Sequence, residues 1–283
     1  MSSRLGRLGV TAAFLAALSP AWAQGDFKKG EYLANAAGCA GCHTAPSAPL
    51  FSGGRELATP FGKFYGPNIT PHAGAGIGRW SEADFTAAMR FGRRPDGAHY
   101  YPVFPYPAYT KIADADLKDL YAYLRSVPPS SRPSKPHELR FPFGLRYLLW
   151  GWKWLYFVPG AFASDPGRGS TLNRGAYLVQ ALGHCGECHT PRNILGGPKK
   201  GRYLAGGKLP DGRTPNLTPT RLKRWSDKQL ADFLRTGATP EGDVPSEVMD
   251  EVIRNTTSQL STQDLSALIA YLRSIPSLPD EPK

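Results

Sequence analysis

The four cysteines of the chain form two copies of one pattern, in which two cysteines three positions apart are followed directly by a histidine. The positions are Cys39, Cys42, His43, Cys185, Cys188 and His189. This C-x-x-C-H spacing puts two thiols one helical turn apart, where both can form thioethers with the vinyl groups of one haem. The adjacent histidine then ligates the iron through Nε2. The sequence therefore predicts two covalently bound haem c groups and leaves no cysteine for a disulfide.

Cysteine pairs of this spacing also occur in redox dithiols and in zinc sites. A zinc site would need four converging ligands, and a thioredoxin-like dithiol would sit among alternating strands and helices. Neither alternative explains a histidine directly after each pair, in two copies. Haem attachment is the interpretation that accounts for all six residues.

Each haem iron needs a sixth ligand or an open position. Met249 follows the second motif in a predicted loop, residues 243–249, ahead of the last helix. A methionine there is a candidate sixth ligand of haem II, and histidine–methionine ligation raises the reduction potential. The alternative is a methionine packed in the core.

The first half has no equivalent methionine, because Phe104 occupies the position that corresponds to Met249. His99, in the preceding loop, is the leading candidate ligand of haem I and would give a lower potential. Met89 lies inside a predicted helix and fits less well. His72, His137 and a five-coordinate iron are the remaining alternatives.

The two halves of the chain repeat each other. Segment 67–71 (PNITP) recurs at 215–219 (PNLTP), and Trp80 and Tyr123 recur as Trp225 and Tyr271. Helices are predicted over 28–37, 82–91 and 115–126, with Ser81, Asp114, Ser226 and Ser261 as N-caps. No segment alternates with a period of two, so we expect an all-α fold with little or no sheet. The predicted architecture is two tandem helical domains, 24–130 and 171–283, joined by a linker over 131–170.

The N-terminus has the pattern of a signal peptide. Arg4 and Arg7 precede an apolar run, 8–18, and Ala21 and Ala23 flank a predicted cleavage site, so residues 1–23 are expected to be removed. A retained anchor is the alternative, although the run is short for a membrane span. Export predicts a periplasmic protein, with the inner membrane as a further site of attachment. It also excludes intracellular nucleic acid as the partner of a chain whose net charge is +11.

The linker over 131–170 begins polar and proline-rich and continues as an aromatic segment, 141–157. This segment is too short, and too interrupted by Arg146 and Lys153, to span a bilayer. It is either a strap packed against both domains or an interfacial helix that contacts a membrane or a partner.

Several segments resemble known families. The segments that begin at Pro67 and Pro215 resemble the proline loop of class I cytochromes c, whose proline carbonyl accepts the Nδ1 proton of the iron-ligating histidine. Segments 67–71, 76–81, 101–106 and 183–193 are similar to the multihaem cytochrome c subunits of bacterial membrane-associated alcohol, gluconate and aldehyde dehydrogenases. Many of those subunits carry three haems and a C-terminal anchor, and many have methionine where this chain has Phe104.

The resemblance implies an electron-transfer subunit with no catalytic residue of its own. Its expected partners are the catalytic subunit of a dehydrogenase and a downstream quinone, oxidase or second cytochrome, with peripheral membrane association as an option. The alternative is a dihaem redox enzyme, such as a peroxidase or a thiosulfate-oxidising cytochrome, which would need an iron with an exchangeable position.

Overall fold

The computed structural model describes residues 25–210 and 212–281, so the predicted signal peptide lies outside the described residues. Within these ranges the fold is mainly helical. The helices, labelled α1 to α12 in chain order, are Phe27–Ala36, Cys39–His43, Glu82–Phe91, Tyr106–Tyr109, Asp114–Ser126, Leu148–Tyr156, Ser170–Tyr177, Gly186–His189, Pro219–Leu222, Asp227–Thr236, Glu247–Asn255 and Thr262–Ser274. A π-helical turn, Leu178–Leu182, continues α7, and a 3-10 turn, Thr257–Gln259, precedes α12.

The expectation of little or no sheet holds only in part, because five short strands are present in the described residues. They are β1 Glu56–Thr59, β2 Gly62–Tyr65, β3 Glu138–Leu139, β4 Gly207–Leu209 and β5 Gly212–Thr214. β1 and β2 form a hairpin, β3 of the linker adds to its edge, and β4 pairs with β5. Strands of two to four residues are too short for an alternating pattern to stand out in the sequence.

Three of the four predicted N-caps are confirmed. The hydroxyl groups of Ser81, Ser226 and Ser261 each accept a hydrogen bond from a backbone N–H in the first turn of α3, α10 and α12. Asp114 is not a cap: it is the first residue of α5, and its carboxylate pairs with Arg90 instead. The Arg90 side chain is only 8% exposed, so its cation needs a partner in place.

Two equivalent glycines allow the first and last helices of each half to cross closely. A Cβ added to Gly30 of α1 would lie 2.0 Å from the carbonyl oxygen of Asp119 in α5, and one added to Gly175 of α7 would lie 2.0 Å from that of Ala267 in α12. Both distances are shorter than van der Waals contact, so a side chain at either glycine would force the helices apart. The same crossing therefore occurs in both halves.

The two halves contact each other through two equivalent hydrogen bonds. The Tyr32 hydroxyl of the first half donates to Asp264 of the second half at 2.6 Å, and the Tyr177 hydroxyl of the second half donates to Asp116 of the first, also at 2.6 Å. Tyr177 follows Tyr32 by 177 − 32 = 145 positions and Asp264 follows Asp116 by 264 − 116 = 148, the offsets of the sequence repeat. The interface is thus reciprocal.

Each aspartate of this interface also binds a cation of its own half. Lys29 Nζ lies 2.6 Å from Asp116, and Arg174 lies 2.6 Å from Asp264. Burial, and after it the hydrogen bond to Asp116, raises the pKa of Tyr177, so its hydroxyl stays protonated and remains a donor. One hydrophobic core extends through both halves around these polar contacts.

Loss of either interface hydroxyl should destabilise the fold. We expect Tyr32→Phe and Tyr177→Phe each to lower the free energy of unfolding by about 1–2 kcal/mol, because a buried carboxylate loses a hydrogen-bond donor. Chemical denaturation of the holoprotein, followed by circular dichroism, measures this change. The control is Tyr147→Phe at an exposed position, where the expected change is within about 0.5 kcal/mol. If the three variants unfold alike, the reciprocal pairs do not stabilise the interface.

The aromatic linker folds over the first half and reaches the second. α6 turns Leu149 inward, where it packs with Phe64 and Tyr101. Trp152 donates a hydrogen bond to the carbonyl oxygen of Leu195 at 3.1 Å. No helix in the described ranges is both long and apolar enough to cross a membrane.

Candidate haem sites

The two C-x-x-C-H motifs lie on equivalent short helices. α2 carries Cys39, Cys42 and His43 and follows Gly38, whose φ of 64° ends α1 and turns the chain into the motif. In the second half the distance from Gly175 to Cys185 is one residue longer than the equivalent distance in the first half. A π-helical turn between them accommodates one extra residue within a continuous helix.

Both motif histidines are held by the residues that the sequence predicts. His43 Nδ1 lies 2.8 Å from the carbonyl oxygen of Pro67, and His189 Nδ1 lies 2.8 Å from that of Pro215. A carbonyl can only accept, so each ring carries its proton on Nδ1 and leaves Nε2 for a metal. Burial lowers the pKa of both histidines, which favours the neutral form that an iron ligand requires.

The motif thiols are in apolar surroundings. Burial raises the pKa of Cys39 and of Cys185 to about 12, and that of Cys42 to about 11. A redox dithiol instead needs a lowered pKa. Among the residues that the structure describes, no group of three or more His, Cys, Asp or Glu side chains is arranged to hold a metal ion. The motif residues fit covalent haem attachment, with one free Nε2 at each site.

Met249 lies in a helix, not in the predicted loop, because α11 begins at Glu247. Ser246 caps that helix, and its hydroxyl accepts from the backbone N–H of Met249 at 3.4 Å. The residue is half-buried. The cap stops the helix from extending further toward the N-terminus and so fixes the backbone at Met249.

Helix α11 also contacts the first half. It packs against α2, and Glu251 forms an ion pair with Arg55 at 2.7 Å. A Cβ at Gly41, inside the first motif, would lie 3.8 Å from the Glu251 carboxylate. The helix that carries the candidate ligand of haem II is therefore anchored beside the attachment site of haem I.

His99 packs against the linker helix. Its Nδ1 lies 2.6 Å from Lys153 Nζ, its ring meets Trp150 edge-on at 4.6 Å, and its carbonyl oxygen accepts from Arg146. Burial, followed by the charges of Lys153 and Arg93, lowers the pKa of His99. Because Nδ1 contacts the lysine, Nε2 is the nitrogen left for ligation. That His99 ligates haem I stays a prediction.

The alternative ligands have structural roles. His72 Nδ1 accepts from the backbone N–H groups of Gly74 and Ala75, and His137 Nδ1 accepts from that of Tyr65. Met89 is 5% exposed and belongs to the hydrophobic core.

Phe104, at the position of the missing methionine, contacts three aromatic rings. The centroids of Tyr100, Tyr109 and Tyr106 lie 5.3, 5.8 and 6.4 Å from that of Phe104. An aromatic cluster therefore takes the place where the second half presents Met249.

Tyr109 and His184 join the segments that lead into the two motifs, a contact that the sequence does not reveal. The Tyr109 hydroxyl donates to the carbonyl oxygen of Ala37 at 2.6 Å, two residues before the first motif. Its ring meets that of His184, the residue before Cys185, at 5.4 Å. Burial raises the pKa of Tyr109, to which Cys39 and Cys42 also contribute. The two motifs thus approach each other across these side chains.

Comparison with known proteins gives concordant results. The cytochrome c family model matches residues 27–128 and 172–276. A diheme cytochrome c-type protein of Cereibacter sphaeroides is 46% identical over 266 residues, which are 90% of this chain and 87% of the relative.

Two further relatives are cytochrome subunits of dehydrogenases. The fructose dehydrogenase cytochrome subunit of Gluconobacter japonicus is 41% identical over 89% of this chain, and the gluconate 2-dehydrogenase cytochrome c subunit of Pantoea cypripedii is 38% identical over 88%. The matches cover 53% and 59% of the length of these relatives.

Proposed function

Because the chain belongs to the cytochrome c family, we propose that it passes electrons from the catalytic subunit of a dehydrogenase to the respiratory chain. Two haem c groups bind covalently, and electron transfer is the function that they support. Each haem supplies one iron that gains and loses a single electron. The observation that carries the proposal is the duplicated motif, with each histidine held through Nδ1 by a proline carbonyl.

The chain's own residues would hold and orient the two groups. We assign covalent attachment to Cys39 and Cys42 for haem I and to Cys185 and Cys188 for haem II. His43 and His189 are the proximal ligands, since their Nδ1 hydrogen bonds fix the ring orientation and make Nε2 more basic.

The sixth ligands complete the assignment. Met249 is the proposed ligand of haem II and the His99 Nε2 that of haem I. A redox titration of His99→Ala against the unaltered protein tests the second assignment. His99 is not the ligand if the lower of the two potentials does not change.

The repeat supports a division into two tandem class I cytochrome c-like domains, 24–130 and 171–283, with the aromatic linker 131–170 between them. The equivalent helix crossings at Gly30 and Gly175 support this division. The signal pattern at the N-terminus supports a periplasmic location, where a c-type cytochrome can meet the respiratory chain.

The dehydrogenase partner is proposed from the relatives, whose names state that they are cytochrome subunits of fructose and gluconate dehydrogenases. These names differ in substrate, so the substrate of the partner is left open. The downstream acceptor is a quinone, an oxidase or a second cytochrome. Neither of these relatives is named as a peroxidase or a thiosulfate-oxidising enzyme, so a dihaem enzyme is not favoured.

The test is reduction of the haems by a partner. A tagged chain purified gently from its own cells should carry a catalytic dehydrogenase subunit, which mass spectrometry identifies. Addition of that enzyme's substrate should then reduce both haems in a stopped-flow experiment, with ferrous haem II accumulating first because the methionine-ligated haem has the higher potential.

The control is the same chain after the partner has been removed, in which the substrate should reduce neither haem. Oxidation of the reduced haems by peroxide at enzyme-like rates, without any partner, would overturn the proposal in favour of a dihaem enzyme.

A further inference from the structure

The outward side of α6 is unusual for a helix on a protein surface because it carries no charged residue. The side chains that face inward are Leu149, Trp152, Lys153 and Tyr156, spaced three and four positions apart. The exposed positions of the helix and its flanks form what we call the outer strap face: Tyr147, Leu148, Trp150, Gly151, Trp154, Leu155 and Val158. A surface helix ordinarily turns its apolar stripe to the core and its charged side to water.

The one cation of this helix is used inside the protein. Lys153 Nζ donates to the carbonyl oxygens of Phe91 at 2.6 Å and of Gly92 at 2.9 Å, at the C-terminal end of α3. Its ammonium also lies 4.6 Å from the ring centre of Tyr106. A cation at that end of a helix is favourable because the last carbonyl groups carry partial negative charge. The outward face therefore keeps only apolar and amphipathic side chains.

The exposure of these side chains is large. Trp154 is 85% exposed and Val158 is 86% exposed. Phe141, which precedes the helix in the chain, is also exposed, and the loop with the exposed Ile194 and Leu195 is held beside the helix by the hydrogen bond from Trp152. A contiguous exposed apolar patch on a soluble domain marks a site of interaction.

We propose that the outer strap face docks this cytochrome onto an anionic lipid surface. The helix has nine residues, so it would lie in the plane of the headgroups with its apolar side turned toward the acyl chains. Tryptophan and tyrosine prefer this level of a membrane because each has an apolar ring and a polar group that reaches water.

The charges around the patch favour lipid over a protein partner as the occupant. Between Glu138 and Asp165 the chain has no acidic residue, and apart from the inward-facing Lys153 its basic residues are Arg140 and Arg146. Lys200 follows soon after Leu195, whereas Lys199 is paired with Glu281. Without Arg4 and Arg7 of the predicted signal peptide the chain carries +11 − 2 = +9. Protein interfaces of useful size contain about one hydrogen bond per 100–200 Å². The outer strap face offers little beyond a tyrosine hydroxyl and tryptophan N–H groups.

Vesicle flotation tests the proposal with the holoprotein, which is followed by its haem absorbance. The vesicles are phosphatidylglycerol mixed with phosphatidylcholine, compared with phosphatidylcholine alone. We expect flotation with the anionic vesicles, weaker flotation with the neutral ones, and loss of the difference at high salt as the charges are screened.

A matched pair of variants locates the surface. Val158→Asp lies on the outer strap face, and Val244→Asp makes the same change at a site of the same exposure, 86%. The first should weaken binding to anionic vesicles by roughly tenfold or more, and the second should leave it unchanged. Trp154→Ser should weaken binding as Val158→Asp does.

Two results would overturn the proposal: failure of the unaltered protein to float with anionic vesicles, or equal binding by the two valine variants. A protein occupant would show instead as self-association in lipid-free buffer, or as capture of the dehydrogenase, that Trp154→Ser abolishes. Reduction of both haems by dithionite in lipid-free buffer should be the same in all variants. Membrane docking and electron transfer can therefore fail separately.

Discussion

Replacement of both cysteines of one motif by serine should leave a protein with one covalently bound haem. We expect Cys185→Ser with Cys188→Ser to keep haem I and lose haem II, and Cys39→Ser with Cys42→Ser to do the reverse. The physical reason is that each pair supplies the two thioethers of its own haem. A pyridine haemochrome assay on denatured protein, with the intact mass, measures the number of haems per chain.

The single variants serve as the control. Cys188→Ser alone retains one thioether and His189, so we expect a haem that stays attached with an altered absorption spectrum. The doubly substituted half has lost the group around which its apolar residues pack, and its yield should fall. Two haems in either doubly substituted variant, or haem that acid acetone extracts from the unaltered protein, would contradict covalent attachment at these motifs.

Replacement of Met249 by alanine should lower the potential of haem II on the order of 0.1 V. Thioether sulfur withdraws electron density and stabilises ferrous iron, so its loss favours the ferric state. The sulfur-to-iron charge-transfer band of the oxidised protein should disappear in the same variant. A spectroelectrochemical titration measures both changes.

Met89→Leu is the matched control, because Met89 is a core methionine in α3. Its charge-transfer band and both potentials should be those of the unaltered protein, with at most a small loss of stability. A band that survives Met249→Ala and disappears in Met89→Leu would reverse the assignment. The cap at Ser246 gives a further comparison, since Ser246→Ala frees the start of α11 without touching the sulfur.

The features that the sequence predicts well are those that depend on residues close together in the chain. The two motifs, the serine caps and the proline carbonyl contacts of His43 and His189 follow from local spacing or from a recognisable segment. The short strands and the start of α11 at Glu247 do not. A helix that begins among proline, glycine and acidic residues gives little periodic signal, so residues 243–249 are predicted as loop throughout.

Contacts between the halves cannot be predicted from local sequence patterns. Neither the reciprocal tyrosine–aspartate pairs nor the approach of Tyr109 to His184 could be predicted, because the partners are 61 to 232 positions apart. His99 shows the same limit. The sequence makes its ring a candidate ligand of haem I. Its contacts with Trp150 and Lys153 depend on how the linker folds back over the first half, which the sequence does not show.

The reciprocal interface also determines how much binding energy the two halves need. Each half presents a tyrosine donor and an aspartate acceptor, so the pairing surface is complementary to itself, as in a twofold dimer. The linker makes this association intramolecular, and a flexible tether of moderate length raises the effective concentration of its ends to about the millimolar range. Contacts that would leave separate proteins mostly dissociated at micromolar concentration are then sufficient to keep the two haems together. The covalent connection keeps the halves associated, and the geometry of the interface sets the distance that electrons must cross.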